Sequence, residues 1–253
     1  MSTQQFINPG AGPLSRAARL GLWALPVWAA LLTAGTVTHQ PNPTTHLADW
    51  SRYVTTSGFL ASHLIASILG AAIGALGLIA LGAVLASRGH PRAGLWAMVT
   101  GVIANVVSTA VFGVAAFAQP AIGRLYLAGH TAQASLLVRT VVNGTWTNAA
   151  AIPSQLLLIA SVVLAGVAVA RTRSLPRAAG IGLAISMVLF VIGGILDKGP
   201  LQAIAGALLT AAAAWVAAAA GRRGAPAEVA DAYVAVPAAS PPDIRPSRPA
   251  QVR

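Results

Sequence analysis

Hydrophobic positions along this chain fall in long unbroken runs, with neither strand-like alternation nor the narrow apolar stripe of a soluble helix. From Tyr53 to Ser87 there is no Asp, Glu, Lys or Arg, and charge-free runs recur five more times. Each is long enough to cross a hydrocarbon core of about 30 Å, where a charge costs roughly 2.5–3.5 kcal/mol on insertion scales. A span surrounded by lipid must satisfy its own backbone hydrogen bonds, so each run is expected to be a helix. A barrel would need short strands of alternating polarity, which these runs lack. The pattern predicts spans at about Arg19 to Val37, Gly58 to Ala86, Ala93 to Phe117, Thr147 to Ala170, Ala178 to Leu196 and Leu201 to Ala220. The expected fold class is all-α, a polytopic membrane bundle of six transmembrane helices.

The chain divides accordingly. Residues 1–18 read as a cytoplasmic N-terminal segment, 19–221 as the transmembrane domain, and 222–253 as a disordered, Pro/Ala-rich cytoplasmic tail without apolar periodicity. Leu20 to Val37, with Arg16 and Arg19 before it and Thr33-Ala34-Gly35 within it, has the outline of a signal peptide. Its length and its two tryptophans, Trp23 and Trp28, favour an uncleaved first span.

Charge then orients the bundle. Of 253 residues only 8% are charged, yet the formal net charge is +11. The cations flank the apolar runs instead of forming a stripe, which argues against nucleic acid as a partner and for membrane orientation. Arg16, Arg19, Arg88, Arg92, Arg171, Arg173, Arg177, Arg222 and Arg223 gather on one side. Arg52, Arg124, Arg139 and Lys198 occupy the other. Nine against four places both termini in the cytoplasm. Trp50, Tyr53, Tyr126 and Trp146 at outer span ends, and Trp23, Trp96 and Trp215 nearer the inner ends, fit an interfacial aromatic belt. Sixteen of the residues are Lys or Arg, and Lys198 is the sole lysine. That bias, with abundant alanine, has a bacterial look, and the expected location is the inner (plasma) membrane.

His63 is the only ionisable residue well inside a span. Ala66, Ser67 and Gly70 share its helical face. Ser62, Ala66, Gly70 and Gly74 set a small residue at every fourth position, and Gly70 with Gly74 makes a GxxxG pair that lets helices approach closely. This stripe is read as a packing seam that turns His63 into the bundle, hydrogen-bonded to a neighbouring helix near the outer interface. Asn105 in the third span and Gln155 in the fourth, with Pro153 before it, could line a polar cavity with His63 or act as interhelical hydrogen-bond glue. Gly193-Gly194 and Gly206 read as packing sites.

Outside the spans, Thr45 to Tyr53 is expected to form a short helix capped by Thr44 or Thr45. Asp49 and Arg52 read as a surface ion pair. His39, His46 and His130, with His63 and Asp49, could only loosely suggest a metal site, since no HxH or HExxH spacing is present; no metal and no cofactor is expected. Gln133 to Val142, with Ala134, Leu137, Val138 and Val141 on one side, reads as an amphipathic helix lying at the interface.

No span contains Asp or Glu, no phosphate-binding loop occurs, and cysteine is absent. These absences disfavour a proton relay through buried carboxylates and thiol chemistry. The leading expectation is a non-enzymatic integral membrane protein, a binding, accessory or structural component. Its partners would be the lipid bilayer and a second copy or another membrane protein met through small-residue helix faces. The alternative is a small-molecule transporter with an outward polar cavity at His63, Asn105 and Gln155. A haem-binding electron-transfer protein ranks third, because it needs a second histidine facing His63 at similar depth.

The arginine asymmetry generates a direct test. Reporter fusions after Ala170 and after Arg223 are expected to read out as cytoplasmic, and a periplasmic signal from either would overturn the orientation.

Overall fold

A computed structural model describes residues 13–36 and 40–222. The expectations for residues 1–12, His39 and the tail 223–253 lie outside the described residues. Among those described there is no strand. Six helices are long and apolar enough to cross a membrane: α1 (Arg16–Thr36), α3 (Ser57–Ser87), α4 (Pro91–Leu127), α5 (Thr131–Arg171), α6 (Arg177–Ile195) and α7 (Gly199–Arg222). A short helix, α2 (Leu47–Val54), precedes α3. The chain is therefore an all-α multi-pass membrane bundle.

The six long helices close into a ring. Each packs on its successor, and α7 returns to α1, which stands between α7 and α3. Short connections make consecutive helices antiparallel, so Arg88, Arg92, Arg171, Arg177 and Arg222 collect at one end of the ring, the basic end. Two glycine contacts set the spacing there. A Cβ on Gly82 would lie 2.7 Å from the Gly94 carbonyl oxygen, and one on Gly166 would lie 2.5 Å from that of Gly180. Only glycine lets α3 meet α4, and α5 meet α6, backbone to backbone at these points.

The small-residue stripe on α3 packs against α1. A Cβ on Gly70 would stand 3.6 Å from Leu31 Cβ, Gly35 similarly faces Ala66, and a Cβ on Gly74 would come 2.7 Å from the Trp28 indole. Gly77 continues the seam against Leu25. Ser62, at the stripe's end, is only half-buried. Gly206 of α7 receives Thr33 of α1, and Gly193 of α6 receives Gln202 of α7. Below this level the ring's axis is filled by a dry core including Leu25, Leu78, Val162, Leu183 and Leu209.

Two helices outrun the bilayer. α4 has 37 residues and α5 has 41, which at 1.5 Å per residue is about 55–60 Å, far beyond a core of about 30 Å. The surplus, Gln119–Leu127 of α4 and the first turns of α5, forms a hairpin around Gly129, whose φ of +92° only glycine adopts without strain. With α2 it makes a small cap at the end opposite the arginines. Trp50, Val54, Phe59, Ile122, Ala134 and Val138 form the cap's own apolar core. Gly123 lets α4 press against the Ser51 carbonyl of α2.

Several sequence expectations change here. The third span continues past Phe117 to Leu127, because Val114–Ala118 widens into a π-helical segment ahead of Pro120, absorbing the missing amide donor without ending the helix. The segment Gln133 to Val142 does not lie free at an interface; Ala134 and Val138 are buried against α2 and α4. Trp50 is no belt residue, being 0% exposed within the cap. The cap of α2 is His46, with no side-chain cap bond; Thr44 instead donates its amide to Asn42 Oδ1 at 2.8 Å. Asp49 and Arg52 do pair, at 3.0 Å.

The seam yields a graded prediction. Gly74→Leu should lower stability in detergent most, by about 1–3 kcal/mol or more, since overpacking displaces Trp28. Gly70→Leu should cost less, because a Cβ there meets only ordinary contacts. Gly58→Ala, where a Cβ meets nothing within 4 Å, should be silent. Thermal melts of the three variants check this order, and equal midpoints would refute the seam.

Candidate ligand-binding cavity

Above the dry core, at the cap end, the axis of the ring is open. A cavity of about 700 Å³ lies there, and all six long helices contribute to its wall. His63, Asn105 and Gln155 line this one space, from α3, α4 and α5 respectively. Of the packing stripe, Ser62 and Ala66 also reach it, whereas Gly70 and Gly74 lie beside α1.

His63 is placed by an irregularity in α3. Ser62–Leu69 is π-helical, so side chains four and five apart share a face, and Ser62, His63, Ala66, Ser67 and Ala71 all turn to the cavity. Contrary to the expectation from sequence, the imidazole bonds its own helix and not a neighbouring one. Its Nδ1 lies 2.9 Å from the Phe59 carbonyl one turn earlier and 3.3 Å from Ser62 Oγ. A carbonyl only accepts, so Nδ1 carries the proton in this bond and Nε2 is left as an acceptor. The ring stacks on Phe59 at 4.1 Å, and Phe59 meets Tyr53 edge-on at 5.5 Å. This aromatic series joins the cap core to the cavity wall.

Asn105 is 4% exposed. Its Nδ2 donates to the Gly101 carbonyl at 2.8 Å. That bond fixes the side chain to its own helix, where Asn105 lines the cavity. Ser108, one turn on and 6% exposed, and Trp28, 2% exposed, line the same space. Polar residues in a membrane span that line a cavity can hydrogen-bond a ligand or water there. The glue reading does not describe Asn105, whose bond stays within α4. Interhelical glue is provided instead by Ser161, which donates to the Ala97 carbonyl of α4 at 2.6 Å.

The rest of the wall is mixed. Gln155 and Gln202 add carboxamides, Thr36 and Ser67 hydroxyls, and Phe112 and Phe190 apolar faces. Asp197 is the one carboxylate, exposed at the rim with φ +53° in the α6–α7 turn. Above α1, Gln40 joins the wall and donates to Gln119 Oε1 at 3.2 Å, tying it to the cap. Trp28 and Gln202 escaped sequence reasoning. Gln202 carried the same signal as Gln155, an amide inside an apolar run. For Trp28 the clue was indirect: glycines at 70, 74 and 77 need a bulky partner. Among the described residues no group of His, Cys, Asp and Glu is placed to hold a metal ion.

No protein-family model, no curated protein and no solved structure matches this chain. The reading of the cavity therefore rests on its own chemistry.

Because the chain has no cysteine, its accessibility can be mapped without background. Ser108→Cys and Gln155→Cys should react with a small membrane-impermeant thiol reagent applied from the cap end. Val162→Cys and Ala213→Cys, in the dry core below, should not. Equal labelling of all four would show that no such boundary exists.

Proposed function

We propose that this protein is a non-enzymatic membrane component that binds a small, uncharged molecule carrying hydrogen-bond donors and acceptors. The observation that carries this reading is the set of polar residues, each largely buried, that line the cavity wall: Trp28, Asn105 and Ser108. They supply one donor, one acceptor and one group that can be either. With His63 Nε2 and the amides of Gln155 and Gln202, they suit hydroxyl, amide or carbonyl substituents. No carboxylate or cation lies in the wall below the rim, so an ionic ligand would enter without a countercharge. A volume of about 700 Å³ is in the range of small-molecule sites.

The arginine asymmetry supports a cytoplasmic basic end and hence an outward-facing cavity, in the inner membrane of a bacterial cell. The space ends at Trp28 and the apolar core, which closes the opposite side. A transporter is the second reading, favoured by the position of the cavity on the axis of a closed ring. It requires that core to open.

Native mass spectrometry of the protein purified from its membrane should reveal a neutral co-purifying molecule. Asn105→Ala, His63→Ala and Gln155→Ala should each weaken its binding roughly 2- to 12-fold, the worth of one hydrogen bond. Binding indifferent to all three, or confined to charged molecules, would overturn the assignment. Counterflow of the same molecule into reconstituted vesicles would favour the transporter.

A further inference from the structure

A second cavity lies far from the first, at the basic end between α5 and α6. It measures about 580 Å³. Its floor is the crossing of Gly166 and Gly180, where the two backbones touch. Ala170 and Ala184 keep the groove open on either side. Its walls are Val167, Ile181 and Ile185, which are 38%, 44% and 54% exposed and face outward from the ring. At its mouth stand Arg171, in the last turn of α5, and Arg177, the first residue of α6.

Among the described residues no carboxylate pairs with the cations at this mouth. Both arginines are exposed, and the one ion pair among the described residues is Asp49 with Arg52, in the cap. The described acids, Asp49 and Asp197, both lie at the cap end. Arg177 also sits at a helix amino terminus, where a cation is repelled by the helix dipole and an anion is attracted. Pro176 caps that terminus with no side-chain oxygen, so the first amides of α6 have no side-chain acceptor. Two exposed arginines and the start of α6 therefore stand at the mouth of an apolar groove on the outer face of the ring.

We infer that the groove between α5 and α6 binds an anionic phospholipid, with its phosphate between Arg171 and Arg177 and an acyl chain over the Gly166–Gly180 crossing. Each half of the site selects for one half of the molecule. A zwitterionic lipid would fill the groove equally well but bring its own cation to the arginines. A soluble anion would satisfy the arginines but leave the groove empty. The inference is independent of the ligand in the axial cavity.

Native mass spectrometry of the full chain, titrated with phosphatidylglycerol and with phosphatidylcholine, tests it. The wild type should bind phosphatidylglycerol more tightly. R171Q/R177Q should lose roughly 30-fold in that affinity, from about 1 kcal/mol per arginine near an anionic surface, while R171K/R177K keeps most of it. A184W keeps both charges and fills the groove, and it should also lose the tight binding. R173Q removes a cation outside the groove and should change little. No preference in the wild type, a preference that survives R171Q/R177Q, or full binding by A184W would each overturn the site.

Discussion

The seat of Trp28 on Gly74 divides this bundle in two. The indole crosses from α1 to α3 where Gly74 offers no side chain. Below it, Leu25, Leu78, Val162, Leu183 and Leu209 meet on the axis in a wholly apolar core. Above it, the wall residues change to Ser67, Asn105, Ser108 and Gln155, and the axis opens. Lipid tails are as apolar as leucine, so no hydrophobic gain draws helices together inside a membrane. Close packing must do so, and it works best where a large flat ring rests on bare backbone. The same contact that holds α1 to α3 therefore also sets the floor of the cavity.

The open half needs a second support, and surplus helix length supplies it. Beyond the bilayer the protein is in water, where the hydrophobic effect operates again. The cap uses it: Trp50, Phe59 and Ile122 form a compact core that clamps α2 onto the extensions of α4 and α5. Phe59 belongs both to this core and to the stack that holds His63. Polar side chains on the cavity wall below are thus positioned by an apolar core above them. All three π-helical segments, Ser62–Leu69, Val114–Ala118 and Val138–Val142, fall near this end. Each re-aims the side chains that follow, and the first brings Ser62, His63 and Ser67 onto a single surface.

Much of this was legible in the sequence, because membrane insertion imposes a coarse rule that composition alone satisfies. The six spans and their short basic turns follow from where charge is absent. The stripe through Gly70 and Gly74 pointed to a close contact but could not name Trp28, since every side of α1 is apolar and no period singles out a face. Trp50 was misassigned for a similar reason: an aromatic near a span end is as compatible with a belt as with a cap core. The cap itself was hidden because Gln119 to Val142 is mildly polar, and a helix extending into water leaves no hydropathy signal. His63, Asn105 and Gln155 stood out as polar groups in apolar runs. Their meeting in one cavity depends on the ring closing from α7 back to α1, which is a tertiary fact.

Charge follows the same division of the molecule. Arginines gather where the axis is dry, and the described acids lie where it is open. At the basic end the helices approach closely, and polar chemistry lies on the outer surface, where Arg171 and Arg177 are exposed. At the cap end the helices stand apart, and polar chemistry turns inward to Asn105 and His63. A buried charge in that inner space would be expensive without a partner, and amides and hydroxyls avoid the cost while keeping directionality. The two ends thus use glycine differently: Gly82 with Gly94 and Gly166 with Gly180 bring backbones together at the basic end, whereas Gly193 and Gly206 seat Gln202 and Thr33 nearer the cap.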